Sequence, residues 1–590
     1  MPVDTEPASP NAEAFPTDPT GLPQSRPTAV VELADGERFE LSIEPVATQI
    51  GEHTVRMLGY NGSVPGPTLR VPEGGEIRVK VTNRGDLDAT VHWHGLRLDN
   101  AHDGTHETQK PMAIGESFEY RVLCPDPGVY WYHPHIREDY GQELGLYGNI
   151  IVVPRDPAYW APANRELAIT LDDILIEDGK IAAFLRDDTT HAAMGRFGNV
   201  MLAAGKTNLA LSAKRGDVVR LYLTGTANTR VFNVGFDGAR MKLVGGDSGR
   251  CEQERFIDSV ILAPSERAVV DVLFDRDGTA LLEHRTPDTT YSLATVVVGG
   301  ETDDLTPQLA FERLRTSPEL AELRERIAPR RGAAADKSLA FVAEMDFAPP
   351  EGPLVYVCPM HPLVVREEPG SCPQCGMKLM PEGAPVAYTC PMHPEVVSEQ
   401  QGKCPQCGMK LMPASMAAGG GSHHHGHDEP MEHHGHSGHD EHAHDAGSSH
   451  GRAHGDGIEW EDDMVEVNRT TTPANIRWKL VDRQSGAENR KISWEFRVGD
   501  WVKIELVNEM DSDHPMHHPF HVHGAGRFVV LDRDGIEEDN LMWKDTVLVS
   551  RGQRVNILLQ VTNPGRWMAH CHIAEHHESG MMFTFDVVAS

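Results

Sequence analysis

No run of about 18 apolar residues occurs in this chain, which excludes a membrane-spanning helix. The opening stretch, Met1 to Pro27, lacks a basic cluster and an apolar core; Pro, Ala, Thr and acidic residues fill it instead. It does not read as a secretory signal peptide, and the expectation for 1–28 is a disordered tail. The protein then either stays inside the cell or has had a signal removed. Basic side chains are scarce against acid: 54 Lys and Arg stand beside 88 Asp and Glu, a net charge of −34. That argues against nucleic acid and anionic membranes as partners and suits cationic metals or neutral small molecules. Cysteine is sparse as well. Of nine, six form two matching triplets, one is Cys571, and Cys124 and Cys251 stand alone. This is metal chemistry, not a disulfide framework. Cys124 and Cys251 read as buried free thiols, with a bridge between them as the alternative.

Helical periodicity is scarce too. Short alternating runs between Gly, Pro, Asn and Asp predict an all-β chain, and 590 residues imply about three to five units. An internal repeat marks three of them. Gly74 to Asn83, Gly216 to Leu223 and Gly499 to Asn508 are each a turn followed by a half-buried strand, which predicts three β-sandwich domains. The expected boundaries are 29–156, 157–300 and 458–590. Between the second and third lie a charged linker, 301–353, with a short helix around Ser317 to Ile327, two small modules, 354–382 and 386–413, and a Gly/Ser/His-rich stretch, 414–457, expected to be disordered.

The first and third sandwiches carry the chemistry. Each has two His-x-His pairs: His92-Trp93-His94 and His133-Pro134-His135, then His521-Val522-His523 and His570-Cys571-His572. Residues i and i+2 of a strand share a face, so each pair presents two imidazoles together. The eight histidines suit three coppers, at an interface of domains one and three. The middle unit has the corresponding strand and Pro264-Ser265-Glu266-Arg267, but no His pair, and reads as a structural spacer. Cys571 faces away from His570 and His572, and with His576 and Met581 it forms a one-thiolate, imidazole and thioether set typical of an electron-transfer copper. The missing ligand is His518, with His517 as its competitor; His577 competes with His576.

These motifs resemble those of the multicopper oxidases, the family of laccases, bilirubin oxidases and bacterial cuprous oxidases, over roughly 30–300 and 458–590. The resemblance implies three cupredoxin-like Greek-key domains and four copper ions. His518, Cys571, His576 and Met581 would hold type 1 copper. His92 and His521 would hold type 2; His94, His133, His135, His523, His570 and His572 would hold the type 3 pair. It further implies single-electron oxidation of a small-molecule reductant, phenols or aromatic amines, or of Cu(I), coupled to reduction of dioxygen to water. Cys571, between His570 and His572, would be the electron link. Asp103, eleven residues after His92, would supply protons or simply turn the chain at Asp103-Gly104. Where other members carry an acid after the second type 1 histidine, this chain has His577, and Glu575 or Glu578 would substitute. A non-catalytic copper-sequestration protein is the alternative.

The inserted modules repeat after 32 residues: Cys358, His361, Cys372 and Cys375, then Cys390, His393, Cys404 and Cys407. Modules this small need a metal to fold. They resemble heavy-metal-binding domains of copper ATPases and efflux proteins, with copper handling or a structural zinc as the two readings. The tract from His423 to His454 holds twelve histidines, for metal capture or as a polar linker.

Overall fold

A computed structural model of the chain describes residues 14–346, 355–358, 361–366, 368, 370–374, 378–382, 387–414 and 456–589. The described residues fall into two compact units: one within Ala12–Asp346, Gly455–Asp462 and Thr471–Ser590, the other within Phe347–His454 and Asp463–Thr470. Among them no helix is long and apolar enough to cross a membrane.

The larger unit contains three β-sandwiches built on one plan. Each repeat strand, Gly75–Asn83, Asp217–Gly225 and Trp501–Asn508, sits inside a sheet with one parallel and one antiparallel neighbour. The parallel neighbours are Arg38–Ile50, Arg165–Ile174 and Lys337–Met345; the antiparallel ones are Ser117–Cys124, Arg267–Phe274 and Arg554–Val561. Gly75–Asn83 alternates buried and more exposed positions, as one solvated face requires. Asp217–Gly225 is buried almost throughout, because its outer face meets the first sandwich. There Tyr222 joins Val129, Ile151, Trp160, Val244 and Val269 in one apolar cluster. Cys124 and Cys251 are both buried and free.

Two expectations change. The charged stretch 301–353 is more than a linker. It forms helices Thr306–Phe311 and Pro318–Arg331 and the strand Lys337–Met345. The longer helix outruns the expected one; Ser317 caps it, its side chain accepting from Leu320 N. Leu320, Leu323 and Ile327 bury against Val529, Leu531, Trp543 and Leu558 of the third sandwich, while Glu322 and Glu325 face water. Lys337–Met345 lies between Trp501–Asn508 and Ile476–Asp482, so the third sandwich begins there. The modules and the His tract are thus inserted between two strands that pair directly with each other. The 1–28 tail is also corrected in its described part: Phe15 is buried and stacks on Tyr140 at 3.8 Å, with Arg186 above it. A tail too polar for a core of its own still has one aromatic anchor. Residues 1–13 lie outside the described residues.

In the smaller unit, Val355–Cys358, His361–Arg366 and Met380–Glu382 form one three-stranded sheet. Tyr388–Thr389, Val397–Ser398 and Met412–Pro413 form another. The tract from His423 to His454 lies outside the described residues, as do Cys375 and the side chain of His361.

Candidate metal centre

The strands that carry the histidine pairs occupy equivalent places in the first and third sandwiches. His92–His94 pairs antiparallel with Gly128–His133, setting His92 opposite His133. His518–Val522 pairs antiparallel with Gly565–Cys571, setting His521 opposite His570 and Phe520 opposite Cys571. Opposed residues of a pair point to one face and their chain neighbours to the other. His521 and His570 therefore share one face, and His518 and Cys571 the other.

The two sandwiches bring all eight histidines of the pairs together, each at most 2% exposed. His94 stacks on His521 at 3.8 Å between ring centres, and His92 lies over His523 at 4.0 Å. The Nε2 of His523 is 3.3 Å from that of His135 and 3.1 Å from that of His570. On the other side His572 lies 5.0 Å from His94 and 5.1 Å from His133. The donor atoms of His135, His523 and His570 lie within 4.8 Å of one another, as do those of His92, His94 and His133 and those of His92, His521 and His523.

The other nitrogen of most rings is held by the chain. His92 Nδ1 bonds Asp103 O at 2.7 Å, His133 Nδ1 bonds Pro134 O at 2.8 Å, and His570 Nδ1 bonds Cys571 O at 2.9 Å. Two carboxylates bridge the sandwiches. Asp103 Oδ2 accepts from His523 Nδ1 at 2.9 Å and Oδ1 lies 3.5 Å from His92 Nδ1. Asp545 Oδ1 accepts from His94 Nε2 at 3.0 Å and lies 3.5 Å from His521 Nδ1, while its backbone O bonds that nitrogen at 2.9 Å. Burial opposes ionisation of Asp545, but the Arg267 guanidinium outweighs it and holds this carboxyl well below the usual range. The turn that delivers Asp103 needs glycine after it: Gly104 has φ +85°, and a Cβ there would lie 1.8 Å from Val91 O.

What remains is a set of buried nitrogens without partners: Nε2 of His92, His133, His521 and His572, and Nδ1 of His94, His135 and His572. Buried polar atoms are normally satisfied. Burial keeps His94, His133, His523, His570 and His572 neutral by pushing each well below its ordinary pKa, which leaves lone pairs for a cation. The donor set fits a cluster of imidazole-bound metal ions.

On the opposite face Cys571 Sγ lies 3.5 Å from His518 Nδ1 and 3.8 Å from His576 Nδ1, all three residues buried. Met581 is buried too, its backbone N bonded to His576 O and its O to Cys571 N. Phe341 stacks on His518 and Trp478 on His576. The competitors are turned elsewhere. His517 Nδ1 accepts from Glu459 N. His577 lies 4.5 Å from the His570 ring, with Nδ1 3.5 Å from Glu138 Oε2. Glu138, which sequence reasoning missed, also lies 3.2 Å from His135 Nε2. Glu575 is bonded by Asn228 and Thr229, and Glu578 by Glu138 N. Burial, reinforced by Asp139, pushes both Glu575 and Glu578 up to about 7.

In the second module Cys390 Sγ lies 3.6 Å from Cys407 Sγ and 3.7 Å from His393 Nδ1, with Cys404 Sγ 3.6 Å from the same nitrogen. All four residues are buried. In the first module Cys358 and Cys372 share a small core with Val364 and Leu379.

Comparison with known proteins matches this division. A family described as multicopper oxidase matches residues 43–157 and again 462–590, the stretches that hold all eight paired histidines and Cys571. The chain belongs to the multicopper oxidases. The chain also carries a heavy metal binding domain twice, at 355–382 and 387–414. It is 35% identical over 164 residues to the multicopper oxidase MmcO of Mycobacterium tuberculosis, covering 26% of this chain and 32% of that protein. It is 28% identical over 242 residues to the multicopper oxidase mco of Staphylococcus aureus, covering 38% and 53%. The matches thus span about a third to a half of those curated relatives. The laccase-like multicopper oxidase CueO of Ochrobactrum sp. shares the chain's fold, with TM-score 0.61, 18% identity, and 96% of this chain and 100% of that one covered. The metallo-oxidase of Campylobacter jejuni does so with TM-score 0.58, 17% identity, and 97% and 98% covered.

Proposed function

We propose that this multicopper oxidase removes single electrons from a small reductant and uses four of them, with four protons, to reduce one dioxygen to two waters. His518, Cys571, His576 and Met581 hold type 1 copper; His92 and His521 hold type 2; His94, His133, His135, His523, His570 and His572 hold the type 3 pair. Bound copper supplies the one-electron redox chemistry and the reactivity toward dioxygen. The chain supplies position, neutral donors and a dry site. The observation that carries this reading is the His570-Cys571-His572 triplet: its thiol joins one donor set while the histidines on either side join the other. A few covalent bonds of adjacent residues therefore connect the two sites. Simple sequestration leaves that connection and the bridging carboxylates without a use.

Phenols and aromatic amines stand beside Cu(I) as substrates. Cu(I) is favoured by the cover over the type 1 set. His518 is 1% and His576 0% exposed, and His576 Nε2 lies against Ala193 O at 3.3 Å. A flat ring has no imidazole edge to touch. Oxygen uptake driven by Cu(I) is expected to exceed that driven by a phenolic dye by about tenfold, a barrier difference of about 1.4 kcal/mol. Uptake with the dye and none with Cu(I) rejects the metal-oxidising reading.

For the modules we infer a closed four-ligand site, with Cys390, His393, Cys404 and Cys407 in the second and Cys358, His361, Cys372 and Cys375 in the first. Zinc–thiolate bonds of about 2.3 Å at tetrahedral angles put donor atoms about 3.7 Å apart, and the second module's spacings agree with that. This favours zinc over two-coordinate Cu(I). Cobalt(II) added to the metal-depleted full chain is expected to give the intense bands of a tetrahedral thiolate site, lost stepwise in Cys404→Ser and Cys372→Ser. Retention of Cu(I) with no uptake of zinc or cobalt contradicts it.

A further inference from the structure

The middle sandwich has no histidine pair, yet one of its side chains reaches the trinuclear donor set. Arg267 opens the strand Arg267–Phe274, and its guanidinium is wholly buried. Nε donates to Val129 O of the first sandwich at 3.1 Å and Nη1 to Ser265 O of its own at 2.7 Å. Nη1 and Nη2 donate to the two oxygens of Asp545 in the third, at 2.7 and 2.5 Å. One planar group thus bonds all three sandwiches.

Asp545 is the carboxylate that binds His94 of the first sandwich and approaches His521 of the third. A second ion-pair contact reinforces the grip. Lys544, the residue before, lies 3.4 Å from Asp247 and 3.2 Å from Glu266 of the middle sandwich. Asp247 Oδ1 in turn accepts from Arg267 N at 2.8 Å. The middle sandwich therefore holds the Lys544-Asp545 dipeptide through both charges.

We infer that Arg267 is a positioning residue for the trinuclear centre: through the paired Asp545 carboxylate, the middle sandwich sets where His94 and His521 stand relative to each other. The bidentate fork matters, because a lysine ammonium is a point charge that cannot bond two carboxylate oxygens and Val129 O in one plane. A purely structural ion pair is the rival explanation, since buried pairs are common and their net contribution to stability is small.

This inference rests on the copper reading above, and the wild-type spectrum tests that reading separately. Three variants of the full chain are compared after copper loading: Arg267→Lys, Asp545→Asn and the double variant. The readouts are the type 1 blue absorbance, the type 2 electron paramagnetic resonance hyperfine splitting, the type 3 absorbance, and copper bound per chain. Arg267→Lys is expected to keep the blue absorbance and change the type 2 and type 3 signatures. Copper affinity at the cluster should fall about 10- to 100-fold, as for other outer-shell partners of metal ligands. The double variant is expected to be no worse than Asp545→Asn alone, because both act through one carboxylate. Unchanged type 2 and type 3 signatures in a folded Arg267→Lys protein overturn the proposal, as does additivity of the two substitutions. Should Arg267→Lys fail to fold, Asp545→Asn with wild-type signatures overturns it equally.

Discussion

Replacing Cys571 with Ser is expected to abolish the intense blue absorbance of the proposed type 1 site and to lower oxygen uptake by at least about a thousandfold, roughly 4 kcal/mol of lost barrier reduction. The effect is large because one side chain has two roles. In the proposed type 1 site its thiolate is the soft ligand beside His518 and His576, and its backbone joins that set to His570 and His572. The substitution is nearly isosteric, and a hydroxyl can still accept the bond that Ile573 N gives to Sγ at 3.5 Å. The fold and the eight-histidine set are therefore expected to survive. Copper content should fall by the type 1 ion alone, with the type 2 signal retained. Oxygen uptake at the wild-type rate in this variant rejects the electron path.

Asp103 carries the second large effect, and two substitutions separate its two readings. Asp103→Ala removes the acceptor for His523 Nδ1 but leaves the backbone O that holds His92 Nδ1. Copper affinity of the cluster is expected to drop about 10- to 100-fold, with activity following copper content. Asp103→Asn keeps an oxygen that can accept from His523, so copper content should recover. If Asp103 also supplies protons, turnover in the Asn variant stays about 100-fold or more below wild type, the range of a lost general acid, while the blue absorbance is normal. Full recovery of turnover with Asn makes Asp103 a positioning residue only. Copper binding unaffected in Asp103→Ala contradicts the bridging role drawn from the geometry.

What could be read in the sequence followed from strand alternation. Each His-x-His pair shares a face by parity, and Cys571 takes in the third sandwich the place Pro134 takes in the first. Parity also separates the competitors: His518 and Phe520 alternate with His521 and His523. What escaped depended on pairings between distant segments. Lys337–Met345 buries Leu339, Phe341, Ala343 and Met345 on one face, with Ala340 buried on the other, but its charged surroundings concealed it and its partners lie beyond the inserted modules. Asp545 belongs to no motif; it reaches the site only because Thr546 pairs with His521 across the sheet. Arg267 stood in view as the repeat without histidines, and its contact with Asp545 spans 278 residues of sequence. Glu138 lies just beyond His135, but only the approach of the Ala574–Glu578 helix shows that it meets His577. The proposed ligands belong to a repeated pattern of local geometry, and their supports come from whichever segment the packing brings near.

The most direct test of the central claim is the ratio of reductant oxidised to dioxygen consumed, with hydrogen peroxide assayed in the same vessel. A donor set of three coppers served by a separate electron port predicts four one-electron equivalents per dioxygen and no free peroxide. Two equivalents per dioxygen with peroxide accumulating would mean that the eight histidines do not act as one cluster.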